Sequence, residues 1–593
     1  VLALTVEELD PEREWRVKQI TIAGNKAFPE SELLAKLATQ QRPRYLPWRA
    51  RPIFDPVAFA TDLERLHRFY EAHGYYQSRV TYDLQVDDQA SLVTVQIHVE
   101  ENLPVTVAEV KVETSDARAD EGTSLRTLPR EELPLQVGEV FSEEEYQEGE
   151  QVLRDFFLQR GHPWVQTQRQ ATVDLSRDQV RVWYAVQPGP QAVFGSTRVE
   201  GTARVNPQLI LRELTYQPGE RFSVEKMATS QEKILNLGLF SAVQVMPDRD
   251  AKDQPVVPMR VRVEEKPPRS FKVGVSYGTE DEFGGQIEWQ HRNWLGGGRQ
   301  LSLLLKYSSI TSALGATLIQ PHFFSPQTRG LLSLRHEQED EETFLLNATR
   351  FRPRLEHNFS RTLSGFVGYR LEFAQLNDVA PATIRALGGI KRDGILSGPS
   401  VGLVWNTTED PFDPQKGTAF SLFADQAGEL WGGDFRFYKI TLEGKKYQPL
   451  GWKTVLAGRV KIGIADAFGT LQNIPLFERF YAGGERSVRG YGRRRLGPIS
   501  ASDDPLGGLS LIEGSVELRR PLWQELSGAL FLDFGQVSTR SLELPLDDLK
   551  FAAGLGVSYT TPLGPLRLDL GLPFDPPRGD QSWQVHFSIG QFF

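Results

Sequence analysis

Two hydrophobic periods divide the chain near residue 268. Before it, helix-period runs alternate with period-two runs; after it, only period two remains. In the first stretch, Val17-Lys-Gln-Ile-Thr-Ile22 reads as a strand leading into Gly24-Asn25. A helix is predicted to open at Asp55-Pro56, with Asp as N-cap and Pro at the first helical position. Its apolar residues Phe59, Leu63, Leu66 and Tyr70 share one face, and Gly74 suits the left-handed position that ends it. Alternating strands follow over 76–86 and 92–99.

The pattern returns twice. Ser142-Glu-Glu-Glu145 reads as a capping box before a helix whose inner face carries Val152, Leu153, Phe156 and Phe157, and Gly161 stops it. Strands are expected over 166–173 and 179–186. A third copy starts at Phe194-Gly-Ser-Thr-Arg-Val-Glu-Gly201. It caps a helix at Ser223, ends it at Leu237-Gly238-Leu239-Phe240, and adds strands over 242–247 and 257–264. The stop glycines lie 87 and 77 residues apart. Self-similarity at that interval means an array of small modules, each β-α-α-β-β.

The second half reads as one large sheet. Phe551, Ala553, Leu555, Val557 and Tyr559 hold one parity, against Lys550, Ala552, Gly554, Gly556 and Ser558. Leu566, Leu568, Leu570 and Leu572 alternate with Arg567, Asp569 and Gly571. Trp583, Val585, Phe587, Ile589 and Phe593 share a parity to the last residue. Such segments recur about every 20 residues, enough for about sixteen strands of a transmembrane barrel. Aromatic residues cluster near strand ends, as interfacial girdles do. The soluble alternative is a large β-sandwich or a propeller, but no blade repeat is visible. The expected fold class is therefore multidomain: three tandem α+β modules (15–101, 102–189, 190–267), then an all-β antiparallel barrel over 268–593. A loop around 477–500 is expected to fold inward.

Composition changes this picture little. Mean hydropathy is -0.36 and hydrophobic content 40%, which would suit a soluble protein; a barrel hides from such averages because its two faces alternate. The net charge of -10 argues against a chain-wide nucleic-acid binder. With no cysteine there is no disulfide scaffold, CxxC zinc site or thiol catalyst. No apolar run is long enough for a membrane helix, and no signal peptide is visible at Val1. That start is expected to follow cleavage of a leader.

The most specific stretch is Phe477-Glu-Arg-Phe-Tyr-Ala-Gly-Gly484-Glu-Arg-Ser-Val488-Arg489-Gly490-Tyr491. It resembles the inward-folded loop of the BamA/TamA outer-membrane assembly superfamily, which presents Val-Arg-Gly-Tyr/Phe at its tip. Asn293-Trp-Leu-Gly-Gly-Gly298, Asp410-Pro-Phe-Asp-Pro-Gln-Lys-Gly417 and Thr561-Pro-Leu-Gly-Pro-Leu-Arg567 resemble further barrel signatures, and the repeated modules resemble POTRA domains. The resemblance covers essentially the whole chain. The count of three modules is most like the TamA branch.

The residues support a physical reading of the loop. A desolvated Arg489 needs anions. Parity turns Glu517 inward between Val516 and Leu518, and Asp533 inward between Leu532 and Phe534; the same two positions match those that pair with the loop Arg in the family. Gly490 allows a tight turn. Val488, Arg489, Gly490 and Tyr491 are thus the candidate loop motif, with Glu517 and Asp533 as wall partners. Arg489 either only stiffens the barrel or also serves function. Arg493, Arg494 and Arg495 read first as a solvated charged loop.

Closing the barrel requires its first strand (about 271–277) to pair with its last (about 582–593). The candidate seam residues are Phe271, Val273, Val275 and Tyr277 against Val585, Phe587, Ile589, Gly590 and Phe593, with Gly590 a weak point. In the family this seam opens laterally. Gly274-Val-Ser276-Tyr-Gly278 matches a nucleophile elbow, but it lies in an alternating strand, so no enzyme is expected. The histidines form no ligand cluster, and neither metal nor cofactor is expected.

The resemblance implies an outer-membrane assembly or translocation factor with periplasmic POTRA domains. Its expected partners are unfolded outer-membrane or secreted clients and the lipid bilayer. It also implies either an inner-membrane-anchored TamB-like protein or assembly lipoproteins, and no nucleic acid. Two alternatives stay open: a polypeptide exporter of the two-partner-secretion kind, and a passive porin.

Overall fold

The computed structural model describes residues 3–10, 13–42, 50–114, 132–248, 250, 252–410, 413–523, 525–561, 564–576 and 582–589. Three small α+β domains precede a closed sixteen-stranded barrel. In the first domain the sheet order is Ala3–Leu4, Arg79–Asp87, Leu92–Glu100, Arg16–Ala23. The last two of these run parallel and the others antiparallel. Helices Glu30–Lys36 and Pro56–Ala72 cover it. Asp55 caps the longer helix by accepting from the Val57 and Ala58 N–H groups at 2.9 and 3.2 Å. Phe59, Leu66 and Tyr70 bury their shared face against Ile20, Leu84, Val95 and Ile97.

The second domain orders its strands Thr106–Thr114, Gln179–Gln187, Gln166–Asp174, under helix Glu143–Gln159. Ser142 accepts from the Glu145 N–H. This is the only helix of that domain among the described residues, where the repeat predicts two; residues 115–131 lie outside the description. The third domain has strands Val193–Glu200, Val256–Glu265 and Phe240–Pro247 in that order, with helices Pro207–Leu211 and Val224–Asn236. The stop glycines 74, 161 and 238 all take positive φ, at 87, 86 and 71°.

The chain forms two compact units. One holds Val1–Arg198 with Leu214–Glu232 and Gln244–Val261. The other joins the barrel to Val199–Glu213 and Lys233–Val243.

The barrel runs from Arg269–Gly278 to Gln584–Ile589, every neighbouring pair antiparallel. Alternation sets its two faces. Leu555 and Val557 are 57% and 44% exposed on the outer wall, whereas Ala552, of the other parity, is fully buried. Among the described residues no helix is long and apolar enough to cross a membrane; the crossing elements are strands. Inside, the wall carries buried ions such as Glu372, Glu513, Glu517, Asp533 and Asp569. Between the eleventh strand (Thr454–Ala467) and the twelfth (Ser510–Trp523) the chain turns into the lumen. There Phe480, Ala482, Val488, Tyr491 and Leu496 share one apolar cluster with wall residues Leu511, Val537 and Ala552.

Candidate functional site: the inward loop and the barrel seam

Arg489 sits at the tip of the inward loop and uses every N–H of its guanidinium. Nε and Nη2 donate to the two oxygens of Asp533 at 2.8 and 2.9 Å, a bidentate fork. Nη1 donates to Glu517 at 2.8 Å and to Asp569 at 3.4 Å, and Nη2 reaches the Ser515 hydroxyl at 3.2 Å. The Arg489 backbone N–H also donates to Asp533, at 3.0 Å, and the guanidinium lies 3.5 Å over the Phe531 ring. Burial alone would ease the proton off Arg489. The Asp533, Glu517 and Asp569 carboxylates overcome this and hold the charge firmly.

The rest of the motif places this side chain. Val488 and Tyr491 are fully buried, and the Tyr491 hydroxyl lies 3.2 Å from the Phe551 carbonyl oxygen. Gly490 has φ +112°, and a Cβ there would lie 2.8 Å from the Ala552 Cβ, so only glycine lets the loop reach the wall. Glu517 and Asp533, read from the sequence as inward partners, both meet Arg489. Asp569 was not singled out, although the leucine alternation over 566–572 already put it on the inner parity.

A second ionic anchor, of reversed polarity, lies at the root of the loop. Glu478 accepts from Arg370 at 2.6 Å and from Lys439 at 3.1 Å, both on the wall. It is buried, yet the two cations hold its carboxyl far below the usual range. The sequence reading missed this pair; its only trace was the inward parity of Arg370. The arginines after the motif correct a further expectation. Arg493 and Arg494 bind Glu341 at 2.6 and 2.8 Å, and Arg495 binds Glu342 at 2.6 Å. They are paired to the turn between the fifth and sixth strands, which the sequence places some 150 residues away.

Among the described residues the first and last strands pair at Tyr277↔Ile589 and Gly278↔Ser588, and the residues of the last strand beyond Ile589 lie outside the description. Phe271, Val273 and Val275 are more than 70% exposed on the outer face of the first strand. Val585 and Phe587 lie on the last strand, while Gly590 and Phe593 fall outside the described residues. Ser276 lies inside the first strand, opposite Gly284, with no turn into a helix behind it; it is not a nucleophile elbow.

An Omp85 superfamily domain matches residues 293–593. The chain belongs to the Omp85 superfamily. POTRA, described as a surface antigen variable number repeat, matches residues 15–102 and 192–266. The outer membrane protein assembly factor BamA of Nitratidesulfovibrio vulgaris is 26% identical, over 100% of this chain and 75% of its own. BamA of Neisseria meningitidis is 21% identical, over 99% and 79%. In fold, the crystal structure of Haemophilus ducreyi BamA lacking POTRA domains 1–3 superposes with a TM-score of 0.65 at 17% identity, covering 82% of this chain and 99% of that one. These relatives carry the name BamA, so the sequence-based leaning to the TamA branch is not what the similarity brings forward. This Omp85 barrel spans the outer membrane, and its POTRA domains precede it on the periplasmic side.

Proposed function

We propose that this Omp85 protein assembles outer-membrane proteins, receiving unfolded clients on its POTRA edges and releasing them into lipid through the seam. The observation that carries the reading is similarity over the whole chain to relatives named as outer-membrane protein assembly factors. The seam is where the first and last strands of the barrel meet, at Tyr277↔Ile589 and Gly278↔Ser588 among the described residues. Parting those strands frees N–H and C=O groups that a client strand can copy.

Capture by strand addition has a precedent within the chain. Ala3–Leu4 adds antiparallel to the edge strand Arg79–Asp87, at Gln85 and Leu84. In the second domain Gln166–Asp174 is an edge among the described residues, with Gln179–Gln187 beside it. Arg489, held by Asp533, Glu517 and Asp569, fixes the loop tip to the wall near the seam, since Asp569 lies on the strand paired with the last one. No step in this account breaks or forms a covalent bond.

Two arms test the reading. Purified protein in proteoliposomes should accelerate insertion of an unfolded small outer-membrane barrel, counted as protease-protected client, over empty liposomes; equal rates would sink it. Co-purification assigns the partner. The BamA-like relatives favour assembly lipoproteins, while the three POTRA domains favour a second, TamA-like reading with an inner-membrane-anchored TamB-like partner. A single secreted substrate retained by the lumen would instead mark an exporter.

A further inference from the structure

The seam is held at its outer end by more than its two strands. The tip of the first hairpin, between Arg269–Gly278 and Glu282–His291, presents Glu280, which is largely buried. Its Oε1 accepts from the Glu485 backbone N–H, on the inward loop, at 2.6 Å. The same oxygen lies 3.4 Å from Nδ1 of His586 on the last strand. Arg493, also on the loop, approaches Glu280 at 4.0 Å and Asp281 at 3.4 Å. The Glu485 carboxylate takes a hydrogen bond from Ser588 on the last strand. Thr279 adds a backbone bond to the Phe587 carbonyl at 3.0 Å.

The loop backbone is shaped for this contact. Gly484 takes φ +106°, and a Cβ there would stand 2.7 Å from Glu280 Oε1. Any other residue is strained and pushes the carboxylate away. One carboxylate on the first hairpin therefore reaches both the last strand and the loop.

We propose that Glu280 is a positioning residue that ties the seam to the inward loop, so that the loop, and not the strand pairing alone, keeps the barrel closed. The inference rests on the proposed client-admitting seam for its consequence in function, but the tie itself is a property of the empty barrel. When the loop's outer segment lets go of Glu280, the first hairpin loses its tie to the loop and is held to the last strand by strand pairing alone. A client that displaces the 484–493 segment then opens its own exit.

The test reads seam geometry without any client. The chain has no cysteine, so spin labels go only where cysteines are placed. Labels at Phe283 and Trp583, both exposed and on opposite sides of the seam, report its width in full-length protein in proteoliposomes. Glu280→Ala removes a charge-assisted hydrogen bond and its ion pairs, and the long-distance population is expected to rise about tenfold or more. Glu280→Gln keeps an acceptor for the Glu485 N–H and should fall between. Gly484→Ala should widen the distribution by displacing Glu280 while leaving its charge intact. Lys272→Ala, which removes the Lys272–Glu288 pair on the same hairpin, should change nothing. Unchanged distances in both Glu280→Ala and Gly484→Ala, with the barrel folded, overturn the tie. Widened distances in a protein that inserts no client leave the tie standing and remove the assembly role instead.

Discussion

Breaking the Arg489–Asp533 fork is the sharpest perturbation of the loop. Its side chains are 7% and 0% exposed, so neither charge is relieved by bulk water. In Arg489→Ala the three wall carboxylates do not suffer equally. Glu517 keeps Arg519 at 2.7 Å and Arg567 at 3.1 Å, and Asp569 keeps Arg567 at 2.7 Å. Among the described residues Asp533 keeps the Ser515 hydroxyl and the backbone N–H of residue 489, and no cation. The penalty therefore concentrates on Asp533. Removing one partner of a fully buried pair costs ~3–5 kcal/mol. A lumen cavity of ≈ 340 Å³ beside Arg489 admits water and moves the expectation to the lower end, about 3 kcal/mol. Asp533→Asn relieves the stranded charge, so Arg489→Ala/Asp533→Asn should lose less than the two single variants summed, with a coupling of about 2 kcal/mol. Urea unfolding of the barrel in micelles, followed by tryptophan fluorescence, measures all four proteins. Tryptic cleavage at Arg493–Arg495 reports whether the loop has left the wall. A coupling below about 0.5 kcal/mol, the size expected for independent sites, refutes the latch.

Three further outcomes are expected. Glu478→Gln leaves Arg370 and Lys439 without their loop anion, and should cost about 2–3 kcal/mol and speed tryptic cleavage of the loop, while the tip pair at Arg489 stays intact. Gly490→Ala combines an unfavourable φ with a 2.8 Å Cβ contact, and should destabilise the barrel by about 1–3 kcal/mol in the same urea titration. In the first POTRA domain, Asp62 is fully buried and accepts from the Ala38 and Thr39 N–H groups at 2.8 Å each. Burial pushes its carboxyl up, but hydrogen bonds from Thr39, Ala38 and Arg65 bring it net below the usual value. A lowered pKa means stability that is full above the free-carboxylate value, ~3.9, and lost as pH falls through the folded one. Asp62→Ala should thus cost ~1–3 kcal/mol at neutral pH, with the gap to wild type closing in acid. Hydrogen exchange of strands Arg79–Asp87 and Leu92–Glu100 in the full chain reads this directly.

What the sequence discloses is what local period encodes. Asp55-Pro56, Ser142 and Ser223 announce helix starts because capping is local, and each caps in the structure. Strand parity likewise turns Glu517 and Asp533 inward, where a desolvated Arg489 needs anions. Parity does not say which inward groups face each other across a closed lumen. That depends on register summed around sixteen strands, so Asp569, Glu478 with Arg370, and Glu280 with His586 were invisible as pairs. The arginines at 493–495 failed for the same reason: a charge run looks solvated until the Glu341 and Glu342 turn is brought beside it. At the loop tip the resemblance added what parity could not, the identity of the Arg that meets the wall.

A reversible lock on the seam tests the account most directly. Gly278 and Ser588 are opposite each other on the first and last strands, within the span a disulfide bridges in an antiparallel pair. Gly278→Cys/Ser588→Cys protein, oxidised in proteoliposomes, should insert no more client barrel than empty liposomes and recover on reduction. Insertion at the wild-type rate with the disulfide intact would contradict exit through the seam.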